Sequence, residues 1–260
     1  MDIWPVEYQE FKAFFLILIR VSIILLMFPF FNSRVIPVLS KTGLALITTI
    51  VLFPVVGHKV VAFPESSLGL FALMTAELII GMTLGLLIQI FFEGVRMMGQ
   101  LVGFQTGFAI TNILDPQSGV QISIFSNTAY LVAMVLFLIF NGHHVLIGAL
   151  KESFEIINFG SLSLDERVFK KIIPLFGDMF LIAIKIGAPA IAALLFTKVV
   201  FGLITRLMPQ MNIMIVAFPV QVFIGLFFFG VCLNTLLVFL ERYVGNLGAL
   251  LMNTMALIKG

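Results

Sequence analysis

Few residues in this chain could do chemistry, and most of them fail on spacing. His143 and His144 are adjacent. On a helix they point about 100° apart, which is a poor geometry for chelating one metal ion. Gly177-Asp178 matches half of an intramembrane aspartyl protease site. However, Leu175 stands where the preceding glycine belongs, and no second aspartate lies inside an apolar run. Cys232 is the one cysteine and sits in an apolar stretch. It permits no intrachain disulfide, and a reactive thiol would want positive charge beside it, so it reads as a small core residue. There is no phosphate-cradling glycine loop, no His pair at i and i+4, and no Gly-x-Ser-x-Gly elbow. The chain is expected to have no catalysis of its own and no cofactor or metal.

The remaining candidates are charges inside apolar runs: Arg20, Glu77, Lys185 and Lys198. A charge at a bilayer centre costs about 2.5–3.5 kcal/mol, so each should face protein, a partner or water. A proton relay would need acids or histidines in series, and Glu77 alone is not a series. Arg20 and Glu77 are therefore read as a structural ion pair between two helices.

The elements that position these residues follow from composition. The chain has 260 residues, 61% of them hydrophobic and 11% charged, with mean hydropathy +1.17. Soluble domains carry about 25% charged residues, so this is a membrane protein. A span needs about 20 mostly apolar residues, and six runs qualify as helical: 11–31, 41–61, 68–92, 125–141, 175–203 and 213–240. The first follows Asp2, Glu7 and Glu10. A signal peptide begins with basic residues, so this run is expected to be a retained span. Pro54, Pro189 and Pro219 fall within runs and are expected to kink them. Gly81/Gly85 and Gly99/Gly103/Gly107 are spaced by four, which allows close helix approach. Val244, Leu247, Leu251, Met255 and Ile258 form an apolar stripe whose opposite face lacks the lysines of a membrane-surface helix, so docking on protein is expected. Positive charges near the run ends favour a cytoplasmic N-terminus. The net charge of +2 and the lack of a basic run argue against nucleic acid.

Two connections are long. Residues 142–174 hold Lys151, Glu152, Glu155, Asp165, Glu166, Arg167, Lys170 and Lys171, and read as a solvated loop. Residues 93–124 are different. Gly99 to Gln121 contain four glutamines and four glycines, with Asp115 the one charge among them. Polar but uncharged backbone of this kind belongs buried in protein or lining a cavity.

The chain resembles the FliR family of type III secretion export-gate subunits, found in flagella and related injectisomes. The resemblance rests on Arg20 with "FPFFNSRVIP", then "GQLVGFQTGFA" running into "DPQSG", then "NGHH", then "RLMPQMNIMIVAFP" with Gly225 beyond, all in family order. It implies an all-α integral membrane protein of bent, kinked hairpins within a helical hetero-oligomer. Residues 1–260 would form a single membrane domain, with a FliP-like part over 1–174 and a FliQ-like part over 175–260. Implied partners are FliP-like and FliQ-like subunits, FlhB-like and FlhA-like export components, unfolded export substrates and membrane lipids. The implied location is the bacterial inner membrane, in the flagellar basal body.

The family match also gives the uncharged segment a role. By that resemblance, residues 103–121 would be the loop that points into the export channel and plugs it when no substrate passes. Phe104, Phe108, Ile110, Ile113 and Leu114 would supply the seal, as in a hydrophobic constriction. Gly103 and Gly107 would permit bending, and Asp115-Pro116 would end any helix. Gly99, Pro209, Gln210, Asn212 and Pro219 are assigned to subunit packing. Three other readings are weighed against this one: an injectisome subunit, a small-solute secondary transporter, and an assembly factor that does not line the pore. A transporter would show inverted repeats and polar side chains converging at midplane. No repeat is visible, and the amides cluster in one connection instead.

Overall fold

The structure, a computed structural model, describes residues 8–31, 36–56, 66–107, 123–162, 166–210 and 212–259. Among them there is no strand. The helices are α1 (Tyr8–Met27), α2 (Val38–Val56), α3 (Ser67–Gln105), α4 (Ile124–Ile139), α5 (Gly142–Ile156), α6 (Glu166–Leu207) and α7 (Ile213–Lys259). Four of them, α2, α3, α6 and α7, are long and apolar enough to cross a membrane, and α4 with α5 qualifies as a pair bent by 69°.

Among the described residues, seven helices stand where six helical runs were expected, and two differences from the sequence reading have physical causes. Within residues 142–174, Gly142–Ile156 and the stretch from Glu166 onward are helical. Leu146, Ala149, Leu150, Ser153 and Phe154 are buried along one face of α5, while Lys151 and Glu155 pair on the outside at 3.7 Å, four residues apart. Lys170 and Glu166 do the same at 2.8 Å in the first turn of α6. The charges mark the wet side of amphipathic helices. Residues 93–105 are likewise helical, extending α3 without a break. Nothing in that stretch breaks a helix, and its glycines serve packing.

The expected kink sites are continuous helix: α2 runs through Pro54, α6 through Pro189 and α7 through Pro219. The three longest helices have 39, 42 and 47 residues. At 1.5 Å per residue they measure about 58, 63 and 70 Å, roughly twice a hydrocarbon core of about 30 Å.

The chain divides into two compact units. Unit 1 comprises Met1–Ile90, Asn141–Leu175 and Val244–Gly260; unit 2 comprises Phe91–Phe140 and Phe176–Tyr243. In unit 1, α1 packs on α2, with Phe14 edge-on to Phe53 at 5.8 Å. It also meets α3 at Gly81, where a Cβ would lie 3.1 Å from Ile23. The C-terminal stripe docks here: Val244, Leu247, Leu251, Met255 and Ile258 are all buried, so its protein surface belongs to this chain. In unit 2, Phe91 stacks on Tyr243 at 4.2 Å, and Phe92 meets Tyr130 and Phe137 edge-on. Cys232 is buried within α7.

Candidate functional site

Two constructions stand out, one in each unit. In unit 1, Arg20 of α1 and Glu77 of α3 have fully buried side chains. Arg20 Nε donates to Glu77 Oε2 at 2.5 Å and Nη2 donates to Oε1 at 3.0 Å. This is the two-pronged geometry that makes arginine–carboxylate pairs strong. Arg20 Nη1 donates to the Ser153 carbonyl at 2.9 Å, and the Gly160 N–H donates to Glu77 Oε1 at 3.3 Å. The guanidinium lies 4.4 Å from the Phe154 ring centroid. A buried pair is tolerated only when its leftover donors and acceptors are satisfied, and here α5 and the following turn satisfy them. Glu77 is held at both oxygens by fixed donors, which makes it an anchor.

Sequence reasoning named Arg20 and Glu77 but missed Ser153, Phe154 and Gly160. The signal for the first two was the 3–4 apolar spacing of α5. Gly160 has φ of +74°, a left-handed conformation that glycine adopts without strain.

In unit 2, the end of α3 is clamped to the start of α4. A Cβ on Gly99 would lie 2.6 Å from the Ser126 backbone nitrogen, and one on Gly103 would collide with Ser123 Oγ. Ser126 Oγ donates to the Arg96 carbonyl at 2.9 Å, and Ser123 Oγ to the Gly99 carbonyl at 3.4 Å. The α3 helix then stops. Thr106 Oγ1 bonds back to the Gly103 carbonyl at 2.9 Å, and Gly107 turns left-handed with φ of +88°, which is how glycine ends helices. A Cβ on Gly107 would lie 3.3 Å from the Phe218 ring, and one on Gly225 would strike Thr106. The Phe218-Pro219 pair and Gly225 of α7 therefore stand at the end of α3. Arg96 lies 3.9 Å over the Tyr130 ring.

The other sequence-assigned residues sort as follows. Gly103 and Phe104 lie in the last turn of α3, so helix replaces the expected loop there; Phe104 is 65% exposed. Phe108, Ile110, Ile113, Leu114, Asp115 and Pro116 lie outside the described residues. Gly99, assigned to subunit packing, makes its close approach inside this chain. Pro209, Gln210 and Asn212, in the connection between α6 and α7, are exposed, as is Pro219. Lys185 and Lys198 are exposed on α6. The rings of His143 and His144 lie 4.2 Å apart, after Asn141 in a left-handed conformation with φ of 59°.

A chain whose described residues hold four helices long and apolar enough to cross a membrane, with the Gly-rich end of α3 packed closely on α4, is an integral membrane protein built around inter-helix packing. It belongs to the family described as bacterial export proteins, family 1, whose model matches residues 11–247. The chain is 28% identical to the flagellar biosynthetic protein FliR of Bacillus subtilis (strain 168) over 257 residues, covering 95% of this chain and 96% of the relative. It is 30% identical to FliR of Aquifex aeolicus (strain VF5) over 216 residues, 80% of each chain. With FliR of Escherichia coli (strain K12) it shares 28% identity over 220 residues, 83% of this chain and 82% of the relative.

Proposed function

We infer that this protein is a FliR-type subunit of the flagellar protein export gate, resident in the bacterial inner membrane at the flagellar basal body. There it helps form and plug the channel through which unfolded flagellar proteins cross. The similarity to flagellar FliR proteins along nearly the full chain carries the reading. No nucleotide-binding loop is visible in the sequence, so the energy for export comes from other components.

The clamp at Gly99 and Gly103 supports a plug in the segment after it. A segment that must move aside for a polypeptide needs a fixed base, and the helix end at Thr106-Gly107 opposite Ser123 supplies one. The seal is assigned to Phe104, Phe108, Ile110, Ile113 and Leu114, which are apolar enough to exclude hydrated ions. The reading further takes 1–174 as a FliP-like part and 175–260 as a FliQ-like part, with separate FliP-like and FliQ-like chains completing the ring. It takes FlhA-like and FlhB-like export components as further partners.

A photoreactive residue at Phe108 tests the channel role. With an export substrate stalled in transit, it should form an adduct with that substrate. Labelling of partner subunits alone, with the stalled substrate untouched, would mean that the segment packs subunits and does not meet the passenger.

A further inference from the structure

In unit 2, helix α3 keeps a polar face open along its last turns. Glu93, Arg96, Gln100 and Phe104 recur at three- and four-residue spacing, which places them on one face of the helix. Gln100 and Phe104 are exposed, and the Glu93 and Arg96 side chains are each 38% exposed. Other sides of the helix are filled from within the chain. Val95, Met98 and Val102 are buried, a Cβ on Gly94 would lie 3.0 Å from the Met179 carbonyl, and Gly99 abuts α4.

The acid and the base on this face answer one another. Arg96 Nη1 lies 3.8 Å from Glu93 Oε1, three residues back, and the guanidinium also covers the Tyr130 ring. Partly exposed charges are costly against lipid, so the face meets water or a polar chain. The pair cancels itself and demands no countercharge from an occupant. What it leaves over is hydrogen-bonding capacity. Among the described residues the Gln100 side chain has no hydrogen-bond partner, and its amide both donates and accepts, as a peptide group does. Arg96 and Gln100 are about 6 Å apart along the axis. An extended chain repeats peptide groups of like direction at roughly 6.6 Å, two residues of strand rise. The face ends at Phe104, one turn before the base assigned to the plug.

We propose that the α3 face from Glu93 to Gln100 is a track for the main chain of the polypeptide in transit. Gln100 and Arg96 touch its peptide groups, and the Glu93–Arg96 pair keeps the track neutral toward basic and acidic passengers alike. A lone charge would hold passengers of the opposite sign, whereas a neutral face with donors and acceptors fits any sequence. The proposal rests on the reading of this chain as a channel subunit. It adds a contact surface on rigid helix, apart from the plug, and a reason for the charges to be paired.

The test uses the full chain expressed with its partner subunits in bacterial membranes. Two export passengers are compared, one with a lysine-rich and one with a glutamate-rich stretch. With either passenger stalled in transit, Gln100→p-benzoylphenylalanine should form an adduct with it, and the same replacement at the buried Met98 should not. With both passengers running freely, the readout is the ratio of lysine-rich to glutamate-rich export. Arg96→Gln leaves the Glu93 carboxylate unpaired and should lower that ratio about threefold, within what one exposed ion pair contributes. Glu93→Gln should raise it by a similar factor, and the two changes together should return it to the starting ratio. A pair that only holds the helices together would slow both passengers alike, and an unchanged ratio in both single variants overturns the proposal. A Phe108 adduct with none at Gln100, or Gln100 adducts to partner subunits or lipid alone, also overturns it while the plug reading stands. If neither position labels the passenger, the channel reading fails and the track with it.

Discussion

Arg20 and Glu77, 57 residues apart in sequence, form a two-pronged, fully buried ion pair that ties α1 to α3. Its remaining bonds recruit α5 through Ser153 and the following turn through Gly160. Four pieces of chain in unit 1 thus share one buried charged node. Removing one partner strands the other without compensation, at a cost of about 3–5 kcal/mol for a buried pair. Arg20→Ala and Glu77→Ala should each sharply reduce the yield of folded chain in membranes. Arg20→Met with Glu77→Leu should recover much of the loss. Yields from the two single variants and the double form a mutant cycle, and simple additivity would mean the pair is not coupled.

The clamp gives a prediction about two glycines. Gly99→Ala forces a methyl group against the backbone of Ser126. Backbone cannot rotate away as a side chain can, so the change should cost about 1–3 kcal/mol, the usual range for overpacking. Gly148 of α5 has open space where its Cβ would point. There Gly148→Ala should be neutral or stabilising by up to about 1 kcal/mol, since alanine is the better helix former. Thermal melts of the purified particle would separate the two variants.

How much of this was legible in the sequence depends on what each residue has to do alone. Arg20 and Glu77 were readable because an apolar run makes any charge conspicuous, and burial forces the charges to pair. Gly99 and Gly103 were readable as close-packing positions from their spacing, but not the surface they meet, because Ser123 and Ser126 carry no signal of their own. Helix α5 was missed because Lys151, Glu152 and Glu155 looked like a solvated loop; its buried partners Leu146, Leu150 and Phe154 repeat at helical spacing and would have revealed it. The extension of α3 to Gln105 was hidden by the same glycines and glutamines that made the segment look like a loop.

The C-terminal part of α7 yields another contrast. Leu247 and Leu251 are buried in unit 1, whereas Met252 is 36% exposed. Leu251→Ala should destabilise the chain by about 2–5 kcal/mol, the cost of emptying a packed leucine site. Met252→Ala should cost under about 0.5 kcal/mol, as surface substitutions usually do. Limited proteolysis of the membrane-inserted chain reads the difference, with early C-terminal cleavage expected in the first variant alone. Equal resistance in both would mean the stripe adds little to holding the C-terminus.

The plug reading makes the last prediction. The clamp contacts of Gly99, Gly103, Ser123 and Ser126 lie outside residues 108–118. Shortening the chain between those positions should therefore leave α3 and α4 in place, and partner subunits should still copurify. What should change is the barrier. An apolar neck excludes hydrated ions because entering it strips their water without replacing it. Removing Phe108, Ile110, Ile113 and Leu114 removes that neck, so cells expressing the shortened chain should leak ions and grow slowly. Phe108→Ser alone should show a weaker form of the same leak. Collapse of the complex on shortening would make the segment a packing element. An intact complex that stays impermeable would place the seal elsewhere in the channel.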